Sequence, residues 1–407
     1  MSELAFQPSI RPGIYLQSPE NSMNPYPAYA MMREHYPVCQ LEPHGAWAVS
    51  RYKDVQYVLT TPEIFSSSAC NALYDAEWFK EEFRNPRLIV AQDPPQHGLY
   101  HGLVNKAFVS RVINNLTPMV RAMAHMLFRQ FNGRRSVDFM NQFAYPYTGK
   151  IVRRLVGIDD KQTLAEPRLW VELEEAGSPL RPDDSYIKLF ESTVEKQNSY
   201  FIQTIEARRL RPQDDITLAL IAAKVNGKPL SNKELCSIMG LLVVAGFVTT
   251  VQMLNHAIIQ LARRPTLMAA LAADLTRVPA FIEELLRHSS AVQAVYRLTT
   301  REVTVAGVDI PANALVMPLL GSANRDANVF DQPDEFQLER QNRKRHLSFG
   351  YGPHVCIGAA LARLELTIAL EVLLSTYSNI DIPPNDQLDW RDSVYIHGLS
   401  SLPVSFS

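Results

Sequence analysis

The stretch His346–Glu365 gathers the residues of this 407-residue chain best suited to chemistry. It reads His-Leu-Ser-Phe-Gly-Tyr-Gly-Pro-His-Val-Cys-Ile-Gly-Ala-Ala-Leu-Ala-Arg-Leu-Glu. Gly350, Gly352 and Gly358 bracket Cys356, and Ile357, Ala360, Leu361, Leu364 and Ile368 then follow helical spacing. The pattern predicts a tight loop that becomes a helix at the cysteine. A helix N-terminus carries unpaired N–H groups and partial positive charge, which favour thiolate over thiol. Glycines leave the backbone open to a flat ligand. A thiolate steadied by backbone amides beside an open surface is what an axial ligand of haem iron requires.

Phe349-Gly350-x-Gly352-x-His354-x-Cys356-x-Gly358 resembles the haem-binding loop of the cytochrome P450 family in its soluble bacterial form. The plain alternative, a buried structural cysteine after a glycine-rich turn, loses ground to the further motifs below. The resemblance covers nearly the whole chain. It implies a mainly α fold with a small β portion, a triangular haem-thiolate domain over residues 1–407 built around a long central helix. It also implies haem b (iron protoporphyrin IX) as cofactor, Cys356 as its iron ligand, and Phe349, Gly350 and Gly358 as parts of the loop.

Glu284 and Arg287 stand at i, i+3, a spacing that on a helix usually marks a solvated surface pair of little worth. In the family, such a pair joins a downstream arginine, here Arg340 after Phe336, in a buried ion network beneath the cysteine loop. The resemblance makes that role structural. It also implies that Arg297, His354 and His97 bind haem propionates. The family usually has Arg four residues after His97, where this chain has His101, so the expected propionate anchor there is weaker or pH-dependent, or Tyr100 or another group substitutes. His97 and His101 also have the spacing of a zinc pair, but Gly-Leu-Tyr between them supplies no adjacent Glu to act as a base.

The segment Ala245-Gly246-Phe247-Val248-Thr249-Thr250 lies in a long apolar run. Apolar helix residues are ordinarily core. By the resemblance, Ala245 and Gly246 widen the helix over the iron and Thr249 manages dioxygen as the catalytic residue. The family usually places an acid before that threonine, and this chain has Val248. A carboxylate there would relay protons. Its replacement raises a second expectation, an atypical oxidation such as desaturation or oxidative coupling. A third is a non-catalytic haem or ligand-binding protein. A peroxide-driven enzyme would place Arg on this helix beside the haem, which Phe247 and Val248 do not match.

Leu241, Val244, Ala245 and Thr249 share one helix face, and with Val292 and Leu399 they are the expected substrate contacts. Residues 66–90 and the helices of 165–195 are the expected lid. Mostly apolar walls favour a hydrophobic small molecule. Arg343-Lys344-Arg345, Lys106, Arg111 and Arg363 offer positive charge to an acidic ferredoxin or flavodoxin. The chain has no glycine-rich dinucleotide fingerprint, so electrons for O2 activation are expected from such a partner and its reductase.

The elements that must position these residues read as mostly helical. Helices are expected at 24–36, 52–60, 93–109, 117–131, 140–156, 163–175, 185–209, 216–225, 231–263, 265–273 and 279–288. Ser231-x-x-Glu234 is a capping box for the central one. Strands are expected at 46–50, within 303–316 and near 403–406. The net charge of −2 gives no pull toward nucleic acid or an anionic membrane. Four scattered cysteines fit a reducing compartment, here the cytoplasm. The uncharged run 235–254 is long enough to span a bilayer, but its Gly, Thr and Gln residues point to a buried helix instead.

Overall fold

The computed structural model describes residues 14–43, 45–71, 89–108, 110–158 and 184–407. Six helices position the candidate site residues: α1 (Tyr52–Thr60), α2 (Gln96–Ala107), α3 (Tyr145–Leu155), α4 (Asn232–Ala262), α5 (Val278–His288) and α6 (Ala359–Thr376). The helix expected at 163–175 and most of the 66–90 loop fall outside the described residues.

The chain forms two compact units, each assembled from separate stretches. The first takes residues 1–69, 280–356 and 384–400. Its frame is a six-stranded sheet of β1 (Ile14–Tyr15), β2 (Val38–Glu42), β3 (Ala46–Val49), β4 (Phe65–Ser66), β5 (Arg297–Thr299) and β6 (Leu315–Pro318). Their spatial order is β1-β2-β3-β6-β5-β4. The pair β3–β6 is parallel, with Val316 opposite Trp47, whereas β5 runs antiparallel to both β6 and β4. All four residues of β3 are buried, as expected for a strand covered on both faces. Val49, Val55, Val58, Phe65, Val316 and Phe330 fill the core beside it.

The second unit takes residues 70–279, 357–383 and 401–407 and is largely helical. Its longest element is α4, 31 residues, whose N-terminus closes with the capping box read from the sequence. Ser231 Oγ accepts from the Glu234 N–H and Glu234 Oε2 accepts from the Ser231 N–H at 2.7 Å. By length and composition α4 could cross a membrane, but 56% of its most apolar stretch is buried inside the protein. That favours the core-helix reading.

Close packing between α3 and α4 depends on two glycines. A Cβ on Gly149 would lie 2.7 Å from the Phe247 ring, and one on Gly246 would lie 3.1 Å from Val152 Cγ2. Gly246 therefore corrects the expectation that it opens space for a ligand: its bare face lets α3 approach. Helix boundaries also shift, among them that of the helix expected at 117–131, which begins at Ser110. The helix expected at 216–225 ends at Ala222, where the chain turns into a short hairpin. The helix after the cysteine begins at Ala359 with Gly358 as its N-cap, so Cys356 stands two residues before the cap.

Candidate haem-thiolate site

Cys356 ends the first unit's 280–356 stretch, at the end of a pinned loop. Its N–H donates to the Phe349 carbonyl at 2.8 Å, and the Gly350 N–H donates to the Leu347 carbonyl at 2.8 Å. Gly350 and Gly352 both have φ of +72°, the left-handed region that glycine enters at least cost. A side chain on Gly352 would also strike the Leu59 carbonyl of α1, at 2.9 Å from the added Cβ. The result is an exposed cysteine flanked by exposed Tyr351 and Val355. Burial pushes the thiol of Cys39 up to about 12 and that of Cys236 up to about 11. Those two are core residues, whereas Cys356 is presented.

The segment leading into this loop is tied to α5. Glu284 and Arg287 are both fully buried and meet through two parallel contacts, Nη2–Oε1 at 2.7 Å and Nε–Oε2 at 2.9 Å. Arg340 Nε adds a third to the same carboxylate at 3.1 Å. Arg287 also donates to the carbonyls of Asn324, Pro333 and Glu335. Burial pulls its guanidinium pKa down while Glu284 pulls it up. The three residues singled out in the sequence thus form one network, and Asn324 connects it to the loop, its Oδ1 accepting from the Leu347 N–H at 2.6 Å. In such a buried network, removing one member strands the others.

The first unit also holds His354, in the cysteine loop, and Arg297, on β5. Ser67 Oγ lies 2.9 Å from His354 Nε2, with Ser67 fully buried. The β4–β5 register pairs Phe65 with Thr299 and Ser66 with Leu298, and a 3-10 turn begins at Ser67. Arg297 is buried and donates to the Tyr296 carbonyl at 2.7 Å. Ser67 was not visible as a site residue in the sequence, because its partner lies 287 positions away. The only local signal was the run Ser66-Ser67-Ser68 at a strand end.

In the second unit, α2 brings the His97 and His101 rings together, tilted, with centroids 4.9 Å apart, His97 being buried. Tyr100 of the same helix donates to Glu234 Oε1 at 2.9 Å, tying α2 to the start of α4. On α4 itself, Ala245 is exposed and Leu241, Val244 and Thr249 are partly open, while Leu242, Val243, Phe247 and Val248 are buried. Leu241, Val244, Ala245 and Thr249 form an open stripe on an otherwise largely buried helix. Thr249 Oγ1 donates to the Ala245 carbonyl at 2.9 Å. Val248 is turned into the core, so a carboxylate there would be desolvated rather than displayed on the stripe.

Val292 is half-buried and bridges to Ile396. Leu399 corrects the sequence expectation: it is fully buried and bridged to Trp390, which stacks on His397 at 4.6 Å. Packing of that segment closes Leu399 off, and Tyr395 is its exposed aromatic residue. Arg343, Lys344 and Arg345 form a short 3-10 turn with Lys344 and Arg345 exposed, whereas the Arg111 side chain lies outside the described residues.

An open cysteine on a glycine-turned loop, with a buried arginine and a half-buried, hydroxyl-bound histidine in the same unit, fits a flat iron cofactor bearing carboxylates. These features place the chain in the haem-thiolate class. A family model described as Cytochrome P450 matches residues 182–402. Cytochrome P450 107B1 of Saccharopolyspora erythraea is 34% identical, over 92% of this chain and 93% of its own length. Cyclomarin C epoxidase CymV of Salinispora arenicola is 32% identical, over 92% and 94%. The solved structure of cytochrome P450 CYP109Q5 from Chondromyces apiculatus has 33% identity, a TM-score of 0.88, and coverage of 97% and 98%.

The chain belongs to the cytochrome P450 family. It is a haem-dependent monooxygenase of mainly helical fold. Bacterial members take electrons from ferredoxin or flavodoxin reductase systems and bind small substrates.

Proposed function

We propose that this monooxygenase oxidises a bulky hydrophobic secondary metabolite in the cytoplasm, with electrons from a ferredoxin or flavodoxin and its reductase. Residues 1–407 act as one haem-thiolate domain. The observation that carries the reading is the presented Cys356, its backbone fixed by Phe349 while Cys39 and Cys236 are sealed in the core. Bound haem supplies redox-active iron, and a thiolate ligand pushes electron density that favours O–O cleavage.

The chain's own residues then divide the work. Cys356 supplies the thiolate. Arg297, His354, His97 and His101 bind the propionates, with Ser67 orienting the His354 ring. Thr249 Oγ1, now donating to the Ala245 carbonyl, is the hydroxyl that passes protons during oxygen activation. Leu241, Val244, Ala245 and Val292 present apolar surface that excludes water and orients the substrate. Glu284, Arg287 and Arg340 hold the loop's foundation. The secondary-metabolite class is supported by this open apolar stripe and by CymV, named as the epoxidase of cyclomarin C.

The test is optical titration of the ferric protein against terpenoid, macrolide, fatty-acid and aromatic-peptide compounds, followed by turnover with a surrogate ferredoxin system. A saturable shift of the haem band toward high spin, and an oxygenated product from the same compound, are expected. A purified protein without a thiolate–haem spectrum would overturn the assignment from Cys356 outward.

A further inference from the structure

Beneath the cysteine loop lies a second buried acid, Glu283, next to the Glu284 of the ion network. Its Oε2 is 3.4 Å from His346 Nε2, an ion-pair separation outside hydrogen-bond geometry, and His346 is buried too. The other ring nitrogen, Nδ1, accepts the Ser348 N–H at 3.2 Å. An imidazole that accepts at Nδ1 carries its proton on Nε2, here the nitrogen facing the carboxylate. A carboxylate this close favours, by charge attraction, the tautomer that carries its proton on the facing nitrogen.

That opposite nitrogen holds the turn from which the cysteine hangs. Ser348 Oγ donates to the Leu286 carbonyl of α5 at 2.7 Å and accepts from Asn324 Nδ2 at 2.8 Å. Phe349 follows, its ring 5.8 Å from the His346 ring, and its carbonyl receives the Cys356 N–H. The contacts run unbroken from Glu283 through His346, Ser348 and Phe349 to the backbone of Cys356. The Glu284 network supports the segment from the other side, through Asn324.

We propose that Glu283 and His346 are positioning residues for the cysteine ligand. Glu283 sets the His346 tautomer, and His346 Nδ1 fixes the Ser348–Phe349 turn that aims the Cys356 thiolate. This rests on Cys356 being the iron ligand, and it adds a device separate from the Glu284–Arg287–Arg340 network.

Three substitutions at 346 separate the two ring nitrogens. His346→Asn keeps an acceptor near Nδ1 but withdraws from Glu283. His346→Gln keeps a polar group near Nε2 but loses the acceptor for Ser348. His346→Phe loses both. Holoprotein of each, and of Glu283→Gln, is reduced, bound to carbon monoxide, and followed as the thiolate-type absorbance band decays to the thiol-type band in mild denaturant. Far-UV circular dichroism monitors the fold in parallel.

Decay about tenfold faster in His346→Gln and His346→Phe is expected, from loss of one buried hydrogen bond. His346→Asn should restore most of the wild-type rate, and Glu283→Gln should fall between, all with unchanged helical signal. Equal decay in all four variants and wild type overturns the proposal and leaves Cys356 as ligand. Failure of His346→Asn to rescue, or band loss only in step with loss of helix, reduces the pair to ordinary core packing and also overturns it. A wild-type holoprotein that never shows the thiolate-type band removes the underlying reading instead.

Discussion

Ser67 shows how much a single buried hydroxyl can decide. His354 Nε2 sits 2.9 Å from Ser67 Oγ, a contact that orients the ring. Ser67→Ala should speed haem transfer to apomyoglobin about fivefold to tenfold, the scale of one buried hydrogen bond. Ser67→Thr, which keeps the hydroxyl, should stay near wild type. Matching transfer rates for the alanine variant and wild type would mean that the hydroxyl does not orient His354. The cysteine loop and the Glu284–Arg287 pair could be read from the sequence, because loop chemistry and i, i+3 spacing are local signals, while Arg340 and the propionate candidates came only from the family resemblance. Ser67 and the Glu283–His346 pair could not, because each joins residues far apart in sequence, and an isolated Ser, Glu or His carries no directional information.

At the scale of elements, the α3–α4 contact turns on what glycine leaves out. Gly149 opposes Phe247, whose ring also lies 5.2 Å from that of Tyr145, and Gly246 opposes Val152. The two bare faces let the helices approach closely and so help fix the position of the Ala245–Thr249 stripe. Gly149→Val should therefore destabilise the protein by about 1–3 kcal/mol through overpacking, despite removing a poor helix former. Thermal unfolding of the holoprotein measures this, and an unchanged or raised Tm would show that Phe247 yields without cost. The helix ends read well from sequence where a side chain makes the cap, as at Ser231 and Glu234. They read less well at Cys356, where glycines delay the helix to Ala359. Gly246 was misread for a related reason: periodicity says that a residue is small, but the neighbour that needs the space is set by tertiary packing.

At the scale of the molecule, the balance of helix over strand was legible from hydrophobic periodicity. The division of the chain into two units was not, because each gathers stretches hundreds of residues apart. The interior also carries a charge problem that sequence cannot show. Glu365 lies on α6, buried in the second unit, and among the described residues its Oε2 has no hydrogen-bond partner. Tyr147 packs against it and donates to its backbone carbonyl at 3.0 Å. Burial raises the Glu365 carboxyl well above its ordinary 4.5, which favours the protonated form in the folded protein. Above that ordinary value the folded state binds more protons than the unfolded state, so stability must fall with rising pH. The contribution is complete below the unfolded value and is lost as pH climbs through the folded one. Glu365→Gln, neutral at every pH, should match wild type in Tm near about pH 5 and exceed it progressively toward about pH 8. Parallel Tm profiles for the two proteins across that window would show that Glu365 is ionised and solvated in the folded state, and the buried neutral acid would have to be abandoned.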